Sequence, residues 1–503
     1  MLPVTGDIMA AETGATTAAD PPRKVAVRGR RPWIAVRGHR LWVGLIALTA
    51  ATAYAVLGLV KLATFRASTF DLVIVDQAVR NYARFRPPYV PVMGAWHDRG
   101  LDYVQLADHF SPIYALLAPF YWIHDGPATL VVVQALLFAA AIPFIWLFTR
   151  RVLGTVPAYL VAVAYALSWP VAQAVAFDAH EVMFVPVLTA IMIERYHADR
   201  PLPAFVAMFA LLLIKEDMGL MVIGFGLYLL LTGDRLRGLC CAVVGVCGVL
   251  LTRGALIPML GGDTGDFWAY GHLGPDLPGA ALGLLSDPLG SLLLPFSDEA
   301  KVDTLFLLVW PTLLLCLLSP LSVVALPHVL ERMLSDRALW WQADFQYSAF
   351  TVVILLLAGV DGLARLLRRI RRPDDRSLKL VWSAAVYVVA LTLVPRFALD
   401  QLYHPDFYKG DEVKIAAARA AVAQVPSGVT VEAVNSLGPA LTSRTTVMLW
   451  TGESHGAPWV VADTARWEFP FGSAEDQAAQ VDRLVSEGYA KVFERDGYVV
   501  LRR

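Results

Sequence analysis

The chain has 503 residues, 57% of them apolar and 17% charged, and a mean hydropathy of +0.55. Soluble domains carry about 25% charged residues, so an ordinary cytosolic enzyme is excluded and an α-helical polytopic membrane protein remains. Lys plus Arg (42) balances Asp plus Glu (43), which leaves no basic face for nucleic acid.

Residues 1–40 are rich in Ala, Thr, Gly and Pro and then basic, with Arg23, Lys24, Arg28, Arg30, Arg31, Arg37 and Arg40. Such a stretch buries too little apolar surface to fold, so a disordered cytoplasmic tail is predicted. The apolar run Leu41 to Ala63 is long enough to span roughly 30 Å of hydrocarbon and lacks a small-residue cleavage site, which predicts a retained first helix. Further apolar runs predict about eleven transmembrane helices, near 41–63, 127–149, 155–175, 182–197, 201–215, 218–232, 238–257, 303–318, 319–334, 346–363 and 378–396. Ser111 to His124 is too short to cross and reads as re-entrant or interfacial.

Basic residues concentrate at Arg150-Arg151, Arg195 to Arg200, Arg235 to Arg237 and Arg365 to Lys379. The positive-inside rule places these segments and the N-terminus in the cytoplasm. Alternation then puts outside the long first loop (64–126), the turns at 178–181 and 215–217, the loops 258–302 and 335–345, and everything after about Arg396. The organisation read is therefore a tail (1–40), a membrane domain (41–396) and an extracytoplasmic α/β domain (397–503).

In that last domain Asp411 to Gln424 has a helical apolar face. Val429 to Val434, Thr446 to Trp450 and Trp459 to Ala462 read as strands, and Ser473 opens a helix to about Glu487. Lys491 to Glu494 and Tyr498 to Leu501 flank Asp496-Gly497, a preferred two-residue hairpin turn. The four cysteines, Cys240, Cys241, Cys247 and Cys316, lie in apolar runs and suggest neither a metal site nor a disulfide framework.

Ionisable groups near membrane depth are costly, so four clusters on the predicted outer side become candidate sites. The first is Asp71 and Asp76 in Phe70-Asp71-Leu-Val-Ile-Val-Asp76-Gln77. On a helix they would sit about 140° apart, which predicts separate jobs; Asp71 could also simply cap a helix. The second is Asp108-His109, a candidate acid–base or metal pair or a helix boundary before Pro112. The third is Asp178, His180 and Glu181, a functional or a solvated turn. The fourth is Lys215-Glu216-Asp217, where Lys215 could neutralise an anionic substrate group. Arg332 could clamp a phosphate or pair with acidic neighbours. The weight lies in their convergence on one compartment.

These segments occur in order with Val425-Pro-Ser-Gly-Val-Thr-Val-Glu-Ala-Val-Asn435 and Leu441-Thr-Ser-Arg444. Over roughly residues 45–503 they resemble the bacterial membrane-protein family catalogued as domain of unknown function 2079. More distantly, the layout resembles type C glycosyltransferases of the mannosyltransferase and aminoarabinose-transferase kind, which use polyprenyl-phosphate sugars. Their first loop usually carries a close acidic pair; here the carboxylates are Asp71 and Asp76.

That resemblance implies a multi-pass protein of the bacterial plasma membrane that transfers a hexosyl or pentosyl group from a polyprenyl-phosphate donor to an envelope acceptor. Asp71 would be the general base, and Asp76 or the Asp108/His109 pair would position the acceptor or a divalent cation. Lys215 and Arg332 would stabilise the departing phosphate, with Asp178, His180, Glu181, Glu216 and Asp217 completing the substrate site. No ligand spacing is diagnostic of a metal, so a divalent cation is optional. Two other readings stay open: a non-catalytic envelope scaffold, and a transporter or lipid flippase, which would need polar groups at mid-membrane.

Overall fold

The computed structural model describes residues 34–452 and 454–503. Most of the tail expected at 1–40 thus lies outside the described residues; the first helix already begins at Ile34 and runs to Ala63.

Among the described residues, five helices are long and apolar enough to cross a membrane: Gly38–Ala63, Pro127–Val152, Thr155–Phe177, Arg235–Met259 and Arg376–Arg396. A bent pair, Leu277–Ser286 and Pro288–Phe296, meets at 102° and would count as a sixth if it is one broken span. That pair falls where the sequence reading placed only an outer loop. The expected count of eleven continuous helices is not reproduced. Residues 303–334 break into the helix Glu299–Val309, three short 3-10 turns and the helix Leu326–Leu334. Pro311, Pro320 and Pro327 interrupt the backbone ladder there, and Leu313 and Leu314 take positive φ angles of 53° and 61°. Residues 182–197 open with a 3-10 turn, Glu181–Phe184, before the helix Val185–His197. The runs at 201–215 and 218–232 shorten to Pro201–Leu211 and Gly219–Leu231, because three charged residues occupy the turn between them. Gly219–Leu231 packs closely on the helix Arg235–Leu251. A Cβ on Gly219 would lie 2.5 Å from the Gly245 carbonyl oxygen, so glycine permits this approach as in other membrane helix pairs.

The C-terminal part forms a five-stranded sheet of order β2-β1-β3-β5-β4, with β1 Thr430–Ala433, β2 Thr446–Leu449, β3 Trp459–Asp463, β4 Ala490–Arg495 and β5 Tyr498–Arg502. β2, β1 and β3 are parallel, and β5 and β4 add on antiparallel. Asp496 and Gly497 both have positive φ, 49° and 82°, as the tight hairpin turn requires. The helices Glu412–Gln424 and Ala474–Ser486 start at side-chain caps from Asp411 and Ser473, which satisfy N–H groups left free at a helix start.

This sheet does not build its core alone. Phe65, Val73 and Val92, from the segment after the first span, pack into the same apolar cluster as Val431, Trp450 and Val500. Asp76 is fully buried in the same junction. Its carboxylate accepts from Arg80, Tyr121 and Thr442 at 2.9, 2.6 and 2.8 Å, so the Thr442 hydroxyl ties the first loop to the sheet domain.

Candidate functional site

Asp71 sits in a single wide helical turn, Thr69–Val73, directly after the first span. It does not cap a helix, since the residue preceding the turn is Ser68. Two outside groups hold the turn. Asp178 accepts from both the backbone N–H and the hydroxyl of Ser68, each at 2.8 Å, and its other oxygen lies 3.5 Å from Lys61 Nζ. On the opposite side Asn435 Oδ1 accepts the backbone N–H groups of Thr69 and Phe70, each at 3.0 Å. Asp178 itself has φ 111° and ψ 175°, a region nearly restricted to glycine, which costs about 1–3 kcal/mol in strain. Its ties to Ser68 and Lys61 offset that cost.

From Asp71 a chain of ionisable groups runs into the protein. His180 Nε2 lies 3.4 Å from Asp71 Oδ1, and its other ring nitrogen contacts Glu181. Glu181 is buried, accepts from the Tyr114 hydroxyl at 3.1 Å and lies 3.2 Å from Lys215 Nζ. Glu216, the next residue, accepts from His109 Nδ1 at 2.9 Å and from the Phe110 N–H at 3.3 Å. Asp71, His180 and His109 keep 22%, 15% and 20% side-chain exposure, whereas Glu181 and Glu216 keep 3% each. The accessible groups therefore rest on buried carboxylates.

Burial alone would lower the His180 pKa, but the Glu181 and Asp71 carboxylates outweigh it and raise it to about 10. Burial alone would raise the Glu181 carboxyl, yet His180 and Lys215 hold it well below the usual carboxylate range. At neutral pH the His180 imidazolium thus faces Asp71 as a cation.

Next to Lys215, Asp217 approaches His328 and Glu331 of the helix Leu326–Leu334. One ligand-type atom from each of the three lies within 4.8 Å of the others. Burial and the neighbouring Glu331 both push the Asp217 carboxyl upward, to about 6. The arrangement is able to hold a cation.

Four of the residues singled out in the sequence lie elsewhere or do other work. Asp76 is spent on Arg80, Tyr121 and Thr442. Asp108 bonds His97 at 3.3 Å rather than forming the expected pair with His109. Arg332 is 2% exposed and donates to the carbonyls of Trp340 and Tyr347 and to the Ser348 hydroxyl. That inventory leaves the Arg332 guanidinium fixing a loop. Asp178 lies beneath the cluster and orients its backbone. Conversely, Tyr114, His328 and Asn435 join the site without having been selected as site residues, and Glu331 was read from the sequence only as added charge beside Arg332; the His328-x-x-Glu331 spacing, one helical turn on one face, was the available signal.

The chain matches the family described as predicted membrane protein (DUF2079) over residues 61–500. None of the curated proteins matches it. Its structure is similar to ArnT from Cupriavidus metallidurans in the apo state, with 14% identity, a TM-score of 0.50, and coverage of 92% of this chain and 98% of that one. ArnT bound to undecaprenyl phosphate has 14% identity and a TM-score of 0.48, covering 92% and 97%. The archaeal oligosaccharyltransferase AglB from Archaeoglobus fulgidus, in complex with an inhibitory peptide and a dolichol-phosphate, has 11% identity and a TM-score of 0.40, covering 86% and 70%. The likeness to apo ArnT shows a shared fold: a helical membrane bundle with a small sheet domain, the type C arrangement.

Proposed function

The chain belongs to the DUF2079 family of predicted membrane proteins, and we propose that it uses its type C fold to transfer a sugar from a polyprenyl-phosphate donor to an acceptor at the outer membrane face. The observation that carries this reading is the accessible Asp71 carboxylate, 3.4 Å from His180 and joined through Glu181 to Lys215. One end of that chain suits a base and the other an anion. The solved ArnT and AglB structures with undecaprenyl phosphate and dolichol-phosphate suggest the donor class.

In this reading Asp71 takes the proton from the acceptor hydroxyl as that oxygen attacks the anomeric carbon. The bond from the anomeric carbon to the phosphate oxygen breaks, and its electron pair leaves with the lipid phosphate. Lys215, fixed by Glu181, stabilises the charge gathering on that phosphate. His180 aims Asp71 through their 3.4 Å contact, and His109 and Glu216 line the same wall. Asp76, Asp108 and Arg332 take no part in the step. A divalent cation is the one cofactor the reading admits. A scaffold role would leave the Asp71–Lys215 chain without a purpose, and a transporter role calls for polar groups at mid-membrane, whereas charged residues of the long spans such as Lys61, Arg150 and Arg253 lie toward their ends.

The test is transfer of labelled sugar from a polyprenyl-phosphate donor by the purified full chain in lipid. Transfer that is lost in Lys215→Met and Asp71→Asn supports the reading. Absence of transfer across hexosyl and pentosyl donors contradicts it.

A further inference from the structure

The Lys215–Asp217 turn carries a second feature that the sugar-transfer step does not use. Asp217 and Glu331 face one another, yet among the described residues neither has a Lys or Arg nitrogen within ion-pairing distance. Lys215, the nearest ammonium in sequence, is turned to Glu181 instead. Between them stands His328, 2% exposed and packed on the Phe350 ring at 4.8 Å between centroids. Among the described residues, neither of its ring nitrogens has a hydrogen-bond partner, and nor does Asp217 Oδ1. Its Nδ1 approaches Glu331 Oε2 to 3.2 Å without forming a hydrogen bond. A buried imidazole with both nitrogens unbonded is costly unless something fills its coordination.

We propose that Asp217, His328 and Glu331 bind one divalent cation. Two carboxylate oxygens and one imidazole nitrogen, with ligand atoms within 4.8 Å of one another, form the mixed O/N donor set that suits Mn²⁺ or Zn²⁺. His328 and Glu331 come from one helical turn, and Asp217 comes from the neighbouring turn, so the protein supplies three ligands on two fixed elements. The Tyr270 hydroxyl steadies the helix by donating to the Glu331 carbonyl at 3.2 Å. Three protein ligands leave positions open, as in catalytic rather than structural metal sites. The cation would sit two residues from Lys215, where it could take a phosphate oxygen of the donor. That last role rests on the sugar-transfer reading; the site itself does not.

The experiment titrates MnCl₂ into the EDTA-stripped full chain in detergent and follows loss of the free Mn²⁺ signal by electron paramagnetic resonance, with ZnCl₂ as competitor. One saturable site is expected, displaced by Zn²⁺ and weakened about tenfold or more in Glu331→Gln and Asp217→Asn, as ligand changes do. These variants keep side-chain shape, and elution as a monodisperse peak confirms that they fold. Asp336→Asn, an exposed carboxylate nearby, should bind as the parent does. No saturable binding by the parent, unchanged binding in both ligand variants, or equal weakening in Asp336→Asn would each overturn the proposal. Because no donor is present, failure here leaves the sugar-transfer reading standing, and failure of transfer leaves the cation site standing.

Discussion

Asn435 Oδ1 lies 3.0 Å from the backbone nitrogen of Phe70, the residue before Asp71, although 365 residues separate them. The sheet domain therefore supplies the cap that the Asp71 turn lacks in its own sequence. Gly438 allows the approach, since a Cβ there would lie 2.2 Å from Thr69 Oγ1.

Removing that cap should loosen Asp71 without removing it. Asn435→Ala is expected to cost about 1–2 kcal/mol and to lower transfer activity, whereas Asn435→Asp, which accepts the same N–H groups, should retain most of both. Thermal unfolding and turnover of the three proteins side by side check this. Equal activity in the Ala and Asp variants at parental level would show that the cap does not position Asp71.

Asp76 should matter for stability and not for chemistry. Its carboxylate is 0% exposed and compensated by Arg80. Asp76→Asn leaves that guanidinium partly unpaired, and breaking a buried pair costs about 3–5 kcal/mol. Lower melting temperature and yield are expected, with near-parental turnover per folded molecule. A stable but inactive variant would instead place Asp76 in the reaction.

His180 gives a pH signature. Its folded pKa is raised from 6.5 to about 10, so the stability it contributes is complete below about pH 6.5 and fades as pH rises through about 10. Asp71, Glu181 and, through Glu181, Lys215 and Tyr114 are the groups that face it. The difference in melting temperature between the parent and His180→Gln should therefore be largest in mild acid and shrink toward pH 10. A difference that grows with pH would contradict the imidazolium assignment.

The sheet domain was legible in the sequence because its signals are local. Short, largely apolar runs marked the strands, Asp411 and Ser473 marked helix starts, and Asp496-Gly497 fixed the hairpin. The helix count was not, because hydropathy registers apolar content and is blind to the breaks at Pro311, Leu313, Leu314 and Pro320. The site was half legible for a similar reason. Charge just after the first span and in short turns singled out Asp71, His180, Glu181 and Lys215, but only packing tells that Asp76, five residues past Asp71, turns inward to Arg80. The Asn435 contact spans nearly the whole chain, and no spacing rule reaches that far.

Sidedness follows from basic residues alone, so it has its own test. Reporter fusions after Arg372 should read as cytoplasmic and fusions after Gly410 as exterior. An exterior signal at Arg372 would move the Asp71 cluster to the cytoplasmic face and exclude an outer-face acceptor.

The central claim is that Asp71 is the base, and the most direct measurement is transfer by Asp71→Asn and Asp71→Ser at parental expression. Neither side chain can take the acceptor proton, while Asn keeps the size of the carboxylate beside His180. Loss of about 10²-fold or more in turnover by both variants, with both still folded and only a modest fall in melting temperature from the lost His180 contact, is the predicted result. Turnover retained by both would contradict the account.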